Sequence, residues 1–472
     1  MTPPLPKPER KLWVESPAGS GRHFPVPVLL AKAGVLELVG EWAEAEAIFR
    51  RAASAAAGSG DSALTMDTAL RLSHLLINRG VYAEAFGAAE ESHRTAESMA
   101  DRERMAEART TMAVALMRQG DYARAKEVCL PAQEYFEEQG HSKGMCRVYN
   151  LLGIIGSHQS RYAEALEFYR KKMEIERRQG DQVGLSNTYN NIGAVHVYQG
   201  DNRQARECFE KKMRLDQAIG NRMGYAVALT NLGLLHQREG DLEAALDCCR
   251  EARQVHQEMG SKSGLTVVIN NMGNVHNARG EHRQALDCYR QALETAEGMG
   301  ERKSIGTYHC NMGLCHVQLG DRREALECYR RGTAILREMG LGYELCYHLY
   351  DYAQLQFDLG MADQAVETAE QAAGMAYEAG RGDVLFDVRV LKGRMAYAGD
   401  RTTGTAELEA LAEDTDDPGK KAEVYLELHK LDGNPRFREK ARNVLEESCR
   451  STKSEDARKR LDEIGKPASR RE

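Results

Sequence analysis

Histidine recurs at His196, His236, His276 and His316, cysteine at Cys208, Cys248, Cys288 and Cys328, and asparagine at Asn191, Asn231, Asn271 and Asn311, each series spaced by 40 residues. Imidazole and thiolate are common zinc ligands and imidazole is the usual proton carrier, so the first two columns raise a metal or acid/base reading. Zinc needs all its ligands within about 2.0–2.3 Å of one ion. Equivalent residues of neighbouring repeats stand about one helix-packing distance apart, ~10 Å. No Cys-x-x-Cys pair occurs, and Cys248 and Cys249 are adjacent. P-loop, HExxH and GxSxG motifs are missing, as is any GxGxxG after a strand, and nothing reads as the sheet most of them stand on. The histidines and cysteines are therefore expected to be structural, with no metal, no cofactor and no catalytic residue. Asparagine differs, because its amide offers both donor and acceptor and can pair with a peptide backbone whatever the side chains. An extended peptide advances about 3.3 Å per residue, so one asparagine every ~10 Å would meet every third residue.

What positions these columns is a repeated helical hairpin. Glycine stands at Gly40, Gly80, Gly120, Gly200, Gly240, Gly280, Gly320 and Gly360, with Ser160 in the one gap. A second series, Gly140, Gly180, Gly220, Gly260, Gly300, Gly340 and Gly380, falls halfway between. Most are followed by Asp, Glu or Asn: the glycine can close one helix in the left-handed conformation and the next residue can cap the following one. Apolar and small residues recur at three- and four-residue spacing, as in Ile192 and Val195, then Ala205, Cys208, Phe209 and Met213. Between Val28 and Asp417 the sole proline is Pro131, inside a second helix, where a kink is expected. The phase predicts nine helix pairs beginning near 24, 62, 102, 142, 182, 222, 262, 302 and 342. A degenerate tenth follows over 382–413, its turn glycine slipped to Gly399. Three further helical stretches, about 420–430, 435–449 and 455–464, would cap the exposed apolar end. The expected organisation is a disordered segment 1–23, a solenoid 24–413, a helical cap 414–466 and a disordered tail 467–472.

Composition agrees with an all-α chain: of 472 residues, 29% are charged and 6% aromatic, with two tryptophans. A formal net charge of −7 gives no pull toward nucleic acid or anionic membrane. The N-terminus lacks the apolar core of a secretory signal, and no segment has eighteen uninterrupted apolar residues, so a soluble cytoplasmic protein with no membrane insertion is expected. Eleven cysteines, mostly within amphipathic helices, argue against a disulfide framework.

The stretch NNMGNVHNARGEHRQALDCYRQAL resembles the tetratricopeptide repeat: Met272-Gly273 at the Leu-Gly pair, His276 at the tyrosine, Gly280 at the turn, Ala285 at the small residue, Tyr289 at the aromatic and Ala292 at the second alanine. The resemblance covers about residues 24 to 400. The 40-residue period, with YRKKMEIERRQGDQVG and FEKKMRLDQAIGNRMG, is similar to the LGN/Pins arrays and, less closely, to those of kinesin light chains; the G-protein-binding motifs of LGN/Pins are not visible. The resemblance implies a right-handed superhelix of about one turn whose first helices line a concave groove. In that register the groove holds Asn191, Asn231, Asn271 and Asn311, with Asp351 continuing the column and Leu151, beside Asn150, preceding it. Arg147, Asn187, Asn190, Tyr198, Arg238, Asn270, Asn274 and Asn277 lie around it. The bland alternative for the asparagines is a bond to a neighbouring helix. Chaperone-binding arrays grip a carboxylate with Lys and Arg here, and this chain does not. Lys172 and Lys212 replace the family alanine and would either snorkel along the repeat junction or reach an acidic partner. The expected function is a non-catalytic adaptor or scaffold holding an extended peptide segment of a partner protein, of open oligomeric state. A peptide-responsive sensor and a structural subunit are the alternatives; the short segment before the first repeat is expected to leave no room for a sensor's output domain.

Overall fold

The computed structural model of the chain describes residues 25–38, 41–452, 458, 460–462 and 464. Gly40, segments 1–23 and 467–472, and part of the third cap stretch lie outside the described residues. Among those described there is no strand. The helices run α1 (Val26–Leu38), α2 (Trp42–Ser59), α3 (Ser62–Asn78), α4 (Tyr82–Ser98), α5 (Arg102–Gln119), α6 (Tyr122–Glu138), α7 (Ser142–His158), α8 (Tyr162–Gln179), α9 (Gln182–Tyr198), α10 (Asn202–Ala218), α11 (Arg222–Arg238) and α12 (Leu242–Glu258). They continue as α13 (Lys262–Ala278), α14 (His282–Met299), α15 (Arg302–Leu319), α16 (Arg322–Glu338), α17 (Gly342–Asp358), α18 (Ala362–Glu378), α19 (Gly382–Gly399), α20 (Arg401–Glu413), α21 (Pro418–Asp432) and α22 (Pro435–Thr452). Two compact units divide at Leu151 and Leu152.

The turns are built as the glycine series requires. At Gly200, φ is 76°, its N–H reaches Val197 O at 3.1 Å, and the next N–H, of Asp201, reaches back to His196 O at 2.9 Å. This satisfies the carbonyls that a helix end leaves without intrahelical partners. Asp201 then caps α10 through Gln204 N–H at 3.0 Å, as Asp181, Asn221 and Asp241 cap α9, α11 and α12. Glu281 and Glu301, one methylene longer, make no such cap. Ser160 takes the left-handed conformation at φ 58°, and Ala100 does the same at 54°. α6 continues without a break through Pro131.

Helix pairs close through complementary sizes. A Cβ added at Gly153, Gly193 or Gly273 would fall 2.5, 2.5 and 2.6 Å from the rings of Tyr169, Phe209 and Tyr289 on the second helix of the same pair. In three pairs where that second residue is small, the first carries a side chain, as Ser73 with Ala89, Ala113 with Cys129 and Ala353 with Ala369, whereas Gly233 faces the small Cys249. The glycine of the repeat is thus a slot for a ring.

First helices of successive pairs touch each other, as α3–α5, α9–α11, α11–α13 and α17–α19, whereas second helices do not approach to the same extent. The odd-numbered helices therefore form the inner wall of each unit's curve. The second unit also returns upon itself: the ring of His158, ending α7, meets the ring of Tyr343, beginning α17, edge-on at 5.6 Å. A superhelical turn in this unit closes after five helix pairs, about half the number expected for one turn. In the tenth pair α20 has 13 residues against 17 in α18, and a cavity of about 450 Å³, lined by Phe357, Val366, Met395 and Lys392, opens beside it.

Candidate functional site

On α11, Val227, Asn231, Leu234 and Arg238 follow one another at spacings of four, three and four, which places them on one helix face. The same register on α9 holds Asn187, Asn191, Ala194 and Tyr198, and on α13 Val267, Asn271, Asn274 and Ala278. Val227, Leu234 and Val267 are exposed, as are Asn187, Tyr198 and Arg238. The inner wall of the second unit is therefore a mixed surface, apolar side chains alternating with amides.

The asparagines are bonded to one another across the pairs. Asn231 Nδ2 donates to Asn190 Oδ1 at 2.7 Å, and Asn311 Nδ2 donates to Asn270 Oδ1 at 2.9 Å, both linking residues 41 apart. Asn270 Nδ2 donates to Asn271 Oδ1 at 3.4 Å, and Asn271 itself is buried. Asn274 Oδ1 accepts from the Tyr289 hydroxyl at 2.7 Å, while Asn277 Oδ1 meets His282 Nδ1 at 2.7 Å. Arg238 Nη1 donates to Val197 O at 3.2 Å, a second donor on the carbonyl that Gly200 N–H also reaches. Arg147 and Asn150 belong to the first unit, where Arg147 Nη2 pairs with Glu107 at 3.3 Å. The structure thus brings Asn187, Asn190, Asn191, Tyr198, Asn231, Arg238, Asn270, Asn274 and Asn311 onto the second unit's odd-numbered helices, with Asn277 against α14. Val227, Leu234 and Val267 were not among the residues singled out by sequence. Their signal was available four residues before, and three after, the asparagine column.

Each amide pair keeps unused capacity. Asn231 spends one of two N–H groups, and Asn190 one of its acceptor lone pairs. The column ends in half-buried Asp351, whose carboxyl is held up at about 7, first by burial and then by the Asp387 carboxylate on α19. Three residues earlier, buried His348 is pushed down to about 4 by burial.

The histidine column serves the turns. His276 Nδ1 lies 2.7 Å from Glu281 Oε2, and His316 Nδ1 lies 3.2 Å from Asp321 Oδ2. His196 is buried with its Nδ1 lacking a hydrogen-bond partner. The cysteines are free thiols, and burial pushes Cys129, Cys249 and Cys315 up to about 12, leaving them as small apolar fillers. Lys172 and Lys212 neither snorkel nor wait for a partner, since both are buried in ion pairs of their own. Lys172 Nζ lies 3.1 Å from Glu176 and 2.8 Å from Thr188; Lys212 Nζ lies 2.8 Å from Asp216 and 3.2 Å from Ser186. Among the described residues no three His, Cys, Asp or Glu side chains converge to hold a metal ion, and no helix is long and apolar enough to cross a membrane.

Tetratricopeptide repeat models match residues 104–178, 184–258, 264–338 and 347–371. No curated protein matches the sequence. Among solved structures, a Rap protein complexed with competence and sporulation factor is similar over 77% of this chain and 99% of its own, at 14% identity and a TM-score of 0.51. A signal transduction ATPase of Pyrococcus horikoshii with a tetratricopeptide repeat sensor aligns over 72% of this chain and 54% of its own, at 14% identity and TM-score 0.48. Repeats of a putative kinesin light chain of Podospora anserina align over 41% of this chain and 95% of their own, at 14% identity and TM-score 0.34. The helix hairpins, the glycine slots filled by rings and the matched models, which together span more than half of the chain, make this protein a member of the tetratricopeptide repeat family.

Proposed function

We propose that the protein is a non-catalytic interaction scaffold that holds an extended polypeptide segment of a partner against the inner wall of its second unit. The observation that carries this reading is the wall itself: exposed Val227, Leu234 and Val267 set between amide pairs that retain donors and acceptors. Apolar side chains of a strand-like ligand would settle between the valines, and its backbone would meet the unused amide groups of Asn190, Asn231, Asn270 and Asn311. Asn187 and Tyr198 extend the surface toward α9, and Arg238 borders it. Asn271 and Asn274 hold the wall's shape from behind.

The test is capture of partners by the full chain beside a Val227→Glu/Val267→Glu variant, followed by hydrogen-exchange mapping of the captured complex. Both substituted positions are exposed, so the fold should persist. The reading expects partner loss in the variant and protection of α9, α11 and α13. Retention of the same partners, or protection confined to even-numbered helices, would refute it.

A second reading, a peptide-responsive sensor, is supported by the fold likeness to the Rap protein solved with a bound factor. In that case binding would change the curvature of the second unit, which small-angle scattering with and without the captured segment would detect. An unchanged radius of gyration on binding would leave the scaffold reading alone.

A further inference from the structure

Across the second unit, the last turns of α7 and α9 face the first turns of α17 and α19, five repeats later. His158 meets Tyr343 edge-on at 5.6 Å, and Tyr198 lies 6.4 Å from His158 on the same side. Opposite them the Arg381 guanidinium lies over the Tyr343 ring at 4.7 Å and donates to Tyr343 O at 3.4 Å. Asp383 holds that guanidinium with two bonds of 2.9 and 2.8 Å, and Glu344 is tied to Lys303. The phenols of Tyr198 and Tyr343 are both raised by burial; Tyr343 also feels Tyr198, while Tyr198 feels Glu344 and Arg381 across the seam.

This contact is of a different kind from those within the array. Neighbouring pairs share buried apolar clusters, such as Ala165 with Tyr169, Ile192 and Cys208 on one side of the seam, and Cys310 with Leu345, Leu349 and Val388 on the other. These are separate clusters, and the groups that meet at the seam include the ring edges of His158 and Tyr343, with the Arg381 guanidinium over the Tyr343 ring. Elements joined by few buried apolar contacts open at low cost.

We propose that the seam is a latch. Closed, it turns the inner wall of the second unit into a channel entered from its ends; parted, it admits a polypeptide segment from the side. Tyr343 is the bolt, pinned by Arg381 and Asp383, and His158 with Tyr198 is the strike. The proposal rests on the inner wall being the peptide site, since a latch over an unused wall would regulate nothing.

The test uses the full chain and no partner. A Val267→Cys substitution places a thiol on the exposed inner wall, and its labelling is followed by peptide mass mapping with a small maleimide and with one carrying a polyethylene-glycol chain. The small reagent should react readily and the large one more slowly. His158→Ala/Tyr343→Ala should abolish most of that difference, raising the large reagent's rate about tenfold, the shift expected when one aromatic contact is removed from an open–closed equilibrium. Tyr343→Phe keeps the ring and should keep the discrimination. Should the double variant fail to fold, His158→Ala alone, at a half-buried helix end, carries the same expectation. Equal rates for the two reagents in the unaltered seam, or a large-reagent rate that the seam variants leave unchanged, would overturn the latch. Either result leaves the capture experiment standing, and a failed capture leaves the labelling result standing.

Discussion

Asp351 occupies the place in its repeat where Asn191, Asn231, Asn271 and Asn311 stand in theirs, so Asp351→Asn restores the column and removes one ionisable group. Burial and the facing Asp387 carboxylate hold the Asp351 carboxyl at about 7, against 3.8 in an open chain. Tyr329, Cys310 and Tyr347 surround it and supply no cation. A folded-state pKa above the unfolded one means that the native chain holds a proton the unfolded chain has lost. The penalty is therefore absent below 3.8, grows as pH rises, and is complete above about 7. At about 1.4 kcal/mol per pK unit, with some discount for partial solvation, Asp351→Asn should stabilise this region by about 2–4 kcal/mol near pH 8 and by almost nothing near pH 4. His348 acts in the opposite sense. Its folded pKa of about 4 lies below the usual 6.5, so its neutral form is favoured, and it contributes a penalty that appears as pH falls from 6.5 toward 4. In the unaltered chain the two slopes oppose each other across that window; in the variant only the histidine remains, and stability should rise from pH 4 to 6.5 before levelling. Repeat arrays do not unfold as one unit, so the assay is amide hydrogen exchange of α17 and α19 across this pH range. Equal protection of variant and wild type near pH 8 would show that Asp351 is solvated and ionised at no cost.

Removing one member of a buried ion pair should cost far more than removing both. Lys212→Ala leaves Asp216, fully buried, without its cation and should cost about 3–5 kcal/mol, whereas Lys212→Ala/Asp216→Ala, which reproduces Ala292 and Ala296, should be near neutral; amide hydrogen exchange of the helices around the substituted site separates the two. Gly273→Ala drives a Cβ to 2.6 Å from the Tyr289 ring and should destabilise by about 1–3 kcal/mol, while Gly233→Ala, whose nearest neighbours are at 3.3 Å, should change stability by less than about 1 kcal/mol in the same assay. Ala100→Gly and Ser160→Gly relieve left-handed residues at φ 54° and 58° and should each raise stability by about 0.5–1 kcal/mol, read as a higher thermal midpoint.

The fold was legible because each repeat writes its own local rules. Turn glycines, capping aspartates and the Leu-Gly slot act within a few residues or within one hairpin, and repetition makes them visible. The inner wall was legible in position and less so in chemistry. Register placed Asn190 and Asn231 on the first helices, but that one would donate to the other depends on how closely successive helices approach. The same distance decided the lysines: Lys172 and Lys212 read as surface charges until Glu176 and Asp216, one turn further along the same helices, are seen to be buried with them. An i,i+4 Lys–Glu spacing is common on exposed helices and carries no mark of burial.

The seam was the least legible feature, for a reason that concerns curvature. His158 and Tyr343 each look like ordinary helix-end residues. Their meeting depends on a small rotation repeated over five pairs, and a modest change per repeat would move the two edges apart or past each other. That rotation is set by the residues packed between neighbouring first helices, and in the middle of the second unit those include the asparagine pairs. Shortening Asn231 or Asn311 to alanine would remove a bond that spaces two repeats as well as a contact for a ligand. A peptide that drew on the unused amide groups would load the same bonds. The wall that would bind and the curvature that closes the turn are therefore built partly from the same side chains, which would give occupancy of the wall a mechanical route to the seam between helix ends five repeats apart.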